Sequence, residues 1–452
     1  MHRIRRGLDI PISGAPEQRV EDARPVTQVA VVAADHVGLR ARMAVSEGEP
    51  VVRGQLLFED RKNPGVRYTA PAAGTAAAIN RGERRALLSV VIDIDEASEP
   101  TEIEYEAYTG KQPAELSADQ IRALLVESGE WTGLRTRPFS RAPAIDSLPR
   151  SIFVTAIDTS PLAPDVDLAI DGREDLFHTG LEALVRLGDG APVHLCRSAG
   201  SSVSADGVSG VLTHGFEGPH PAGNAGLHIH MIDPANRDRV AWHIGYQDVI
   251  AIGGLLETGK LHLERVIAIG GPAVRMPRLL RTRRGARVSE LVAAELSTGE
   301  RRVVAGSVLT GRDSGAPGLD YLGRFHNQIS ALSEARKRRF LGWLWPGSDR
   351  FSVSRLFLSK LLPGKTFAMD TDVQGGSRAM IPLGVYDGVM PFDMLPVFLF
   401  RALLSGDVDR AEELGCLELD EEDVALCSFV CPSKIDYGSA LRRVLDQIVK
   451  EG

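Results

Sequence analysis

No apolar run in this chain is long. The longest, Val389 to Leu404, is broken by Asp393, Arg401 and two prolines, so it falls short of the ~20 consecutive apolar residues that a membrane-spanning helix needs. A chain of 452 residues with its apolar side chains in short pieces must bury them by stacking small strands and helices into layers. That length makes about three domains the first expectation. Apolar residues are 43% and charged residues 25% of the chain, which is an ordinary globular composition and not a disordered one. The net charge of -8 argues against nucleic acid as the main partner. Four cysteines cannot staple so long a chain, and the basic start Met1-His2-Arg3-Ile4-Arg5-Arg6 runs into Asp9 and Pro11 rather than an apolar leader; the compartment expected is a reducing cytoplasm.

The first hundred residues read as β. Val26 to Ala34, Val51 to Glu59 and Leu87 to Ile94 are short Val-rich runs separated by Gly, Pro and Asn turns, with Asn63-Pro64-Gly65 as the clearest hairpin tip. Two phrases with glycines at tight corners, Val45 to Leu57 and Ala70 to Ile79, resemble the two halves of a biotinyl/lipoyl-type barrel sandwich. The tip Arg61-Lys62-Asn63-Pro64-Gly65 lacks the context of a carrier lysine, so Lys62 reads as a solvated turn residue rather than a cofactor anchor.

From about Thr101 the texture changes. Ser117 with Gln120 forms a capping box ahead of a helix over Ala118 to Ser128. Ser151 to Ala156 reads as a buried strand, Leu176 to Leu187 as a helix and Pro192 to Cys196 as a strand. Further strands are expected at Val208 to Leu212, Leu227 to Ile232 and Val249 to Ile252, the alternation of an α/β layered domain. Short β pieces around one helix, Ser289 to Leu296, suit a small β-grasp module. Helices are expected at Ser330 to Trp343, Ser352 to Leu362, Pro391 to Leu404 and Gly438 to Lys450.

Several patterns invite chemistry. Gly254 to Leu261 has the G-x4-G-K spacing, but Leu261 offers no hydroxyl for a metal and Leu255 and Leu256 crowd the loop, so a helix end with a glycine cap is expected. Gly188-Asp189-Gly190 reads as a turn. His214, His220, His228, His230 and His243 cluster in sequence. A strand through His228-Ile229-His230 would point two rings to one face, with Asp233 or Glu217 to complete a metal site, whereas the surrounding Gly/Pro turns favour structural packing. Cys416, Cys427 and Cys431-Pro432 have too few thiolates at the wrong spacing for a cubane cluster, which leaves a trio of small buried side chains. Neither G-x-S-x-G nor H-E-x-x-H occurs, which speaks against an independent hydrolase. The run Arg336-Lys337-Arg338-Arg339-Phe340-Leu341-Gly342-Trp343-Leu344-Trp345 reads either as a membrane or subunit interface, carried by Arg336, Lys337, Arg338, Arg339, Trp343 and Trp345, or as a solvated helix with a core-facing aromatic end.

Taken together these residues resemble a known family, the A subunits of the bacterial Na⁺-translocating NADH:quinone oxidoreductase (Na⁺-NQR). The resemblance covers essentially the whole chain. It rests on Gly7-Leu8-Asp9-Ile10-Pro11-Ile12-Ser13-Gly14-Ala15-Pro16-Glu17-Gln18, Leu57-Phe58-Glu59-Asp60-Arg61-Lys62-Asn63-Pro64-Gly65-Val66, Gly218-Pro219-His220-Pro221-Ala222-Gly223, Trp242-His243-Ile244-Gly245-Tyr246-Gln247-Asp248-Val249, Gly271-Pro272-Ala273-Val274-Arg275, Phe340-Leu341-Gly342-Trp343 and Gly415-Cys416-Leu417-Glu418-Leu419-Asp420-Glu421-Glu422-Asp423. It implies four domains: a barrel sandwich at 1–105, a Rossmann-like α/β domain at 106–257 akin to the flavin subunit of complex I, an SLBB-like β-grasp at 258–312 and a mainly helical part at 313–452. It further implies a peripheral place on the cytoplasmic face of the bacterial inner membrane, with five other subunits as partners and chiefly the membrane subunit that binds flavin and quinone. NADH, FMN, FAD, riboflavin and iron–sulfur centres belong to those partners, and ubiquinone is the substrate of the complex. The stretch matching the flavin-phosphate loop of the complex I relative is Gly129 to Phe139, bulky where backbone must approach closely; the matching acidic turn is Ala156 to Pro161. No cofactor bound by this chain is therefore expected. The rival readings are a free-standing soluble flavin-dependent NADH dehydrogenase and a non-catalytic assembly scaffold.

Overall fold

A computed structural model describes residues 1–95, 97, 101–336, 346–354 and 356–451. The barrel sandwich is built as the corner glycines require. One sheet orders Gln28–Val32, Leu87–Ile94, Gly74–Arg81 and Pro50–Val51; the other orders Ala41–Met43, Leu56–Asp60 and Arg67–Thr69. Leu57, Phe58, Val66, Tyr68, Ala76, Val90 and Ile92 fill the space between the sheets. Gly74 has φ 154, and a Cβ there would fall on the carbonyl oxygen of Asp93, so no other residue fits that corner. Lys62 is exposed at the tip. The next side chain anchors the hairpin: the Asn63 amide donates to the carbonyls of Ala142 (2.9 Å) and Pro143 (3.1 Å) in the α/β domain. This tip is fastened down and does not swing.

The α/β domain begins with the helix Ala118–Ser128, whose Ser117 hydroxyl accepts from Gln120 N as its capping box requires. Its sheet contains β1 (Ser151–Ala156), β2 (Val193–Ser198), β3 (Val211–Glu217) and β4 (Ala241–Gly245), with α1 (Glu174–Leu187), α2 (Ala225–Ile232) and α3 (Tyr246–Thr258) between or after them. The order in the sheet is β3-β2-β1-β4, all parallel, with His2–Arg3 added beside β3 and Arg135–Arg137 antiparallel beside β4. The chain leaves β1 toward β2 and comes back from β3 to β4 on the other side of β1, so the strand order reverses between β1 and β4 and their C-terminal ends mark a topological switch point.

Two expected strands are helices. Leu227 to Ile232 lies in α2 and Val249 to Ile252 in α3. Nearly all of α3 is buried, so it has no polar stripe to reveal a 3.6-residue period, and a short apolar run of that kind cannot be told from a strand by pattern. It crosses α1 at a glycine pair, where a Cβ on Gly253 would fall on Leu176 O and one on Gly180 on Val249 O.

The third unit is a mixed sheet in the order Arg312–Asp313, Arg301–Ala305, Gln328–Ser333, Glu264–Gly270, Arg278–Arg283 and Glu17–Asp22, with the short helix Val288–Val292 against it. Ser330 to Ser333 is therefore strand where a helix was expected, held between two partners; residues 337–345 lie outside the described residues. Ser352 to Leu362 contains one 3-10 turn, Leu358–Leu361, and not a full helix. The C-terminal part packs α4 (Pro396–Ser405), α5 (Glu421–Val430) and α6 (Tyr437–Glu451) around Phe400, Tyr437, Leu441 and Leu445.

Candidate functional site

A polar cavity of about 150 Å³ opens at the switch point. Asp158 and Ser160 follow β1, Gly245 ends β4 and Tyr246 to Asp248 follow it; Arg135, Arg265 and Arg324 supply cations, and Glu422 reaches in from the start of α5. The acidic turn Ala156 to Pro161 is thus at the cavity wall. The Asp158 carboxylate accepts from Ser160 N at 2.9 Å, and burial raises its pKa against the hydrogen bonds it receives. Two of the three arginines are committed: Arg265 pairs with Asp248 at 2.5 Å and Arg324 with the same carboxylate at 3.3 Å.

The Gly129 to Phe139 stretch runs beside this cavity and is filled. Gly129 ends its helix in the left-handed region at φ 81, and the following turn places Glu130 and Trp131 inside, 1% and 0% exposed. The Trp131 indole donates to Pro143 O at 2.9 Å and meets Trp242 edge-on at 5.4 Å. Glu130 binds Arg324 at 2.7 Å and also pairs with Arg284; burial opposes its charge, but these two guanidinium groups outweigh burial and bring its pKa down to about 2. Arg137, fully buried, reaches Asp420 at 2.9 Å, Glu422 at 3.2 Å and Asp423 at 3.5 Å at the start of α5. Burial works against the Arg137 charge, and these carboxylates more than reverse it. A loop that holds a flavin phosphate needs open amides and no competing acid. With an indole and a carboxylate in that place, the stretch does not fit the group.

Three family profiles match: the NqrA N-terminal barrel-sandwich hybrid domain over residues 2–95, the NqrA second alpha/beta domain over 116–261 and the NQRA C-terminal domain over 266–315. The A subunit of the Na(+)-translocating NADH-quinone reductase of Neisseria gonorrhoeae (strain ATCC 700825 / FA 1090) is 51% identical over 453 residues, covering all of both chains. The chain belongs to this family. The same-named protein of Actinobacillus pleuropneumoniae serotype 5b (strain L20) is 50% identical over 454 residues, again the full length of both. Among solved structures, an air-oxidised NAD+-reducing [NiFe]-hydrogenase covers 78% of this chain and 64% of its own at 11% identity and a TM-score of 0.42, a likeness too loose to bear on function.

In this member of the NqrA family the five histidines go separate ways. His228 and His230 lie on helix α2, where two residues of separation turn the rings about 200° apart, so the paired-ligand geometry expected of a strand does not form. His228 Nε2 meets Ala222 O at 2.9 Å; His230 binds Glu418 at 2.7 Å and accepts from Asp393 N at 3.0 Å. His214 contacts His194 at 3.0 Å, His220 contacts Thr159 at 3.1 Å and His243 contacts Arg137 at 3.4 Å. Among the described residues no group of three or more His, Cys, Asp or Glu is arranged to hold a metal ion. Cys416, Cys427 and Cys431 are all buried. Gly254 to Leu261 is the end of α3, capped by Gly259 at φ 68. Of the proposed interface, Arg336 is exposed and pairs with Glu300 at 3.0 Å; Lys337, Arg338, Arg339, Trp343 and Trp345 lie outside the described residues. Sequence reasoning overlooked Arg135 and Thr155, which reach the cavity only through their pairing with β4, a long-range register that no local pattern signals.

Proposed function

We propose that this chain is a peripheral subunit of a Na⁺-translocating NADH:quinone reductase, that it holds no redox centre of its own, and that it supports reduction of ubiquinone to ubiquinol coupled to Na⁺ export. The observation that carries the reading is the 51% identity over the whole of both chains to a relative with that subunit name. Three features of the fold support it. Among the described residues no helix is long and apolar enough to cross a membrane, so Na⁺ passage falls to partner subunits. The Gly129 to Phe139 stretch is occupied by Glu130, Trp131 and Arg137, which leaves flavin and iron–sulfur chemistry to those partners. Among the described residues, ten of the fifteen exposed large apolar side chains lie between Leu356 and Leu404; they include Leu395, just before α4, and Phe398 and Leu404 on its outer face beside the exposed Arg401. A concentration of exposed apolar side chains of this kind expects a partner, and the hydrophobic membrane subunit that binds flavin and quinone is the one we assign to it, at the cytoplasmic face of the inner membrane.

Selective removal of the chain from the detergent-solubilised complex tests the reading. Ubiquinone reduction should be lost while NADH-dependent reduction of a soluble dye by the remaining subunits persists. Full ubiquinone reduction by the depleted complex would contradict it.

A further inference from the structure

We propose that the switch-point face binds a phosphate group, free or at the end of a small nucleotide, between the start of α3 and the Arg135 guanidinium. This site stands independently of the subunit reading above. The register sets Arg135 opposite His243 and Thr155 opposite Gly245. Alternate residues of a strand share a face, so these four positions lie together on one side of the sheet, and all four line the cavity.

Each of the four is open. Gly245 is the N-cap of α3 and has no side chain to cap the first-turn N–H groups. A Cβ added there would meet nothing within 4 Å, so the space before the helix start is clear. Arg135 stacks on the Phe325 ring at 4.2 Å and, among the described residues, has neither a hydrogen bond nor an ion pair, unlike its neighbours Arg265 and Arg324. The Thr155 hydroxyl is buried without a partner. His243, 1% exposed, accepts from Arg137 through Nε2 at 3.4 Å; its proton therefore sits on Nδ1, which has no acceptor among the described residues. Burial and then the nearby Arg135 and Arg137 charges hold this imidazole neutral.

The acids at the cavity do not fill the role. Glu422 is held by Arg137 at 3.2 Å, and Asp158 receives Ser160 N. The Asp423 carboxylate lies against Gly226 and so already faces the start of α2, whereas α3 has no side-chain cap and its own first-turn acid, Asp248, is taken up by Arg265 and Arg324. A helix start, a guanidinium, a hydroxyl and an imidazole N–H form a set of donors from different directions. That set suits a group with three strong acceptor oxygens and net negative charge.

Calorimetric titration of the full-length chain with inorganic phosphate, and separately with AMP, tests the site. At least one probe should bind saturably, with affinity reduced about tenfold or more in Arg135→Gln and abolished in Gly245→Asp, whose own carboxylate caps α3. Thr155→Val, which keeps the shape and removes one hydroxyl, should weaken binding severalfold without disturbing packing. Binding of phosphate with no response to AMP identifies the free ion as ligand; competition by AMP identifies a nucleotide phosphate. Absence of binding by both probes, or wild-type affinity in either Arg135→Gln or Gly245→Asp, would overturn the proposal.

Discussion

Arg135 and Arg137 stand two residues apart on one face of the same strand, yet their surroundings differ. At Arg137 the start of α5 closes over the sheet and delivers Asp420, Glu422 and Asp423, so the guanidinium is fully buried and answered three times. At Arg135 the sheet faces a cavity, and the guanidinium has an aromatic ring beneath it but no acceptor among the described residues. Glu130 and Trp131 belong to the closed half, Thr155 and Gly245 to the open one. The difference teaches that one strand of this α/β domain is sealed by α5 at one end and open to a cavity at the other. Charge answered within the chain marks the sealed end; charge left unanswered marks the open one.

The largest effect should come from the closed half. Arg137→Met strands three carboxylates against each other and should cost about 3–5 kcal/mol in chemical denaturation at neutral pH, whereas Arg135→Gln, which removes no ionic partner, should stay within about 0.5 kcal/mol. Similar losses for the two would break the comparison. Glu130→Gln leaves Arg284 without its carboxylate and Arg324 with Asp248 alone, at 3.3 Å, and should cost about 2–3 kcal/mol.

The pH dependence sharpens the contrast within the closed half. The Glu130 pKa is lowered on folding to about 2, so its contribution is full above the ordinary glutamate range and is lost as pH falls from there through about 2. Glu421 and Asp423 go the other way: burial pushes both up to about 7, so stability declines as pH rises from the ordinary carboxylate range through about 7. Denaturation midpoints across this range should show a limb at each end, and Glu130→Gln should shrink only the acid one, the rest of which belongs to other carboxylates held low, such as Asp420. An unchanged acid limb in that variant would contradict the assignment. The open half gives a small effect of opposite sign: Gly245→Asp should stabilise the phosphate-free chain by about 1 kcal/mol through a new cap on α3, measured by the same denaturation.

Much of this architecture can be read from residue patterns. The Ser117 and Gln120 capping box announces its helix, and the Val-rich run Leu87–Ile94 is a strand over the span expected. Local pattern fails where burial is complete: α3 looks like strand because no polar face interrupts it. It also fails where pairing decides, as at Gln328–Ser333, which is strand because Glu264–Gly270 and Arg301–Ala305 flank it. The bulky side chains of Gly129 to Phe139 are visible in the sequence, but their counter-charges come from far along the chain, Arg284 and Arg324 for Glu130 and Asp420 to Asp423 for Arg137. The open cavity face is illegible for the same reason, since Thr155 and Arg135 become neighbours only across β4.

The most direct test of the account is the flavin and iron content of the purified full-length chain, measured against that of the assembled complex. With Trp131 and Glu130 inside the loop, the account predicts a colourless chain with neither group, and all of the complex's flavin and iron in the remaining subunits. One flavin or one iron–sulfur centre retained per chain would contradict it.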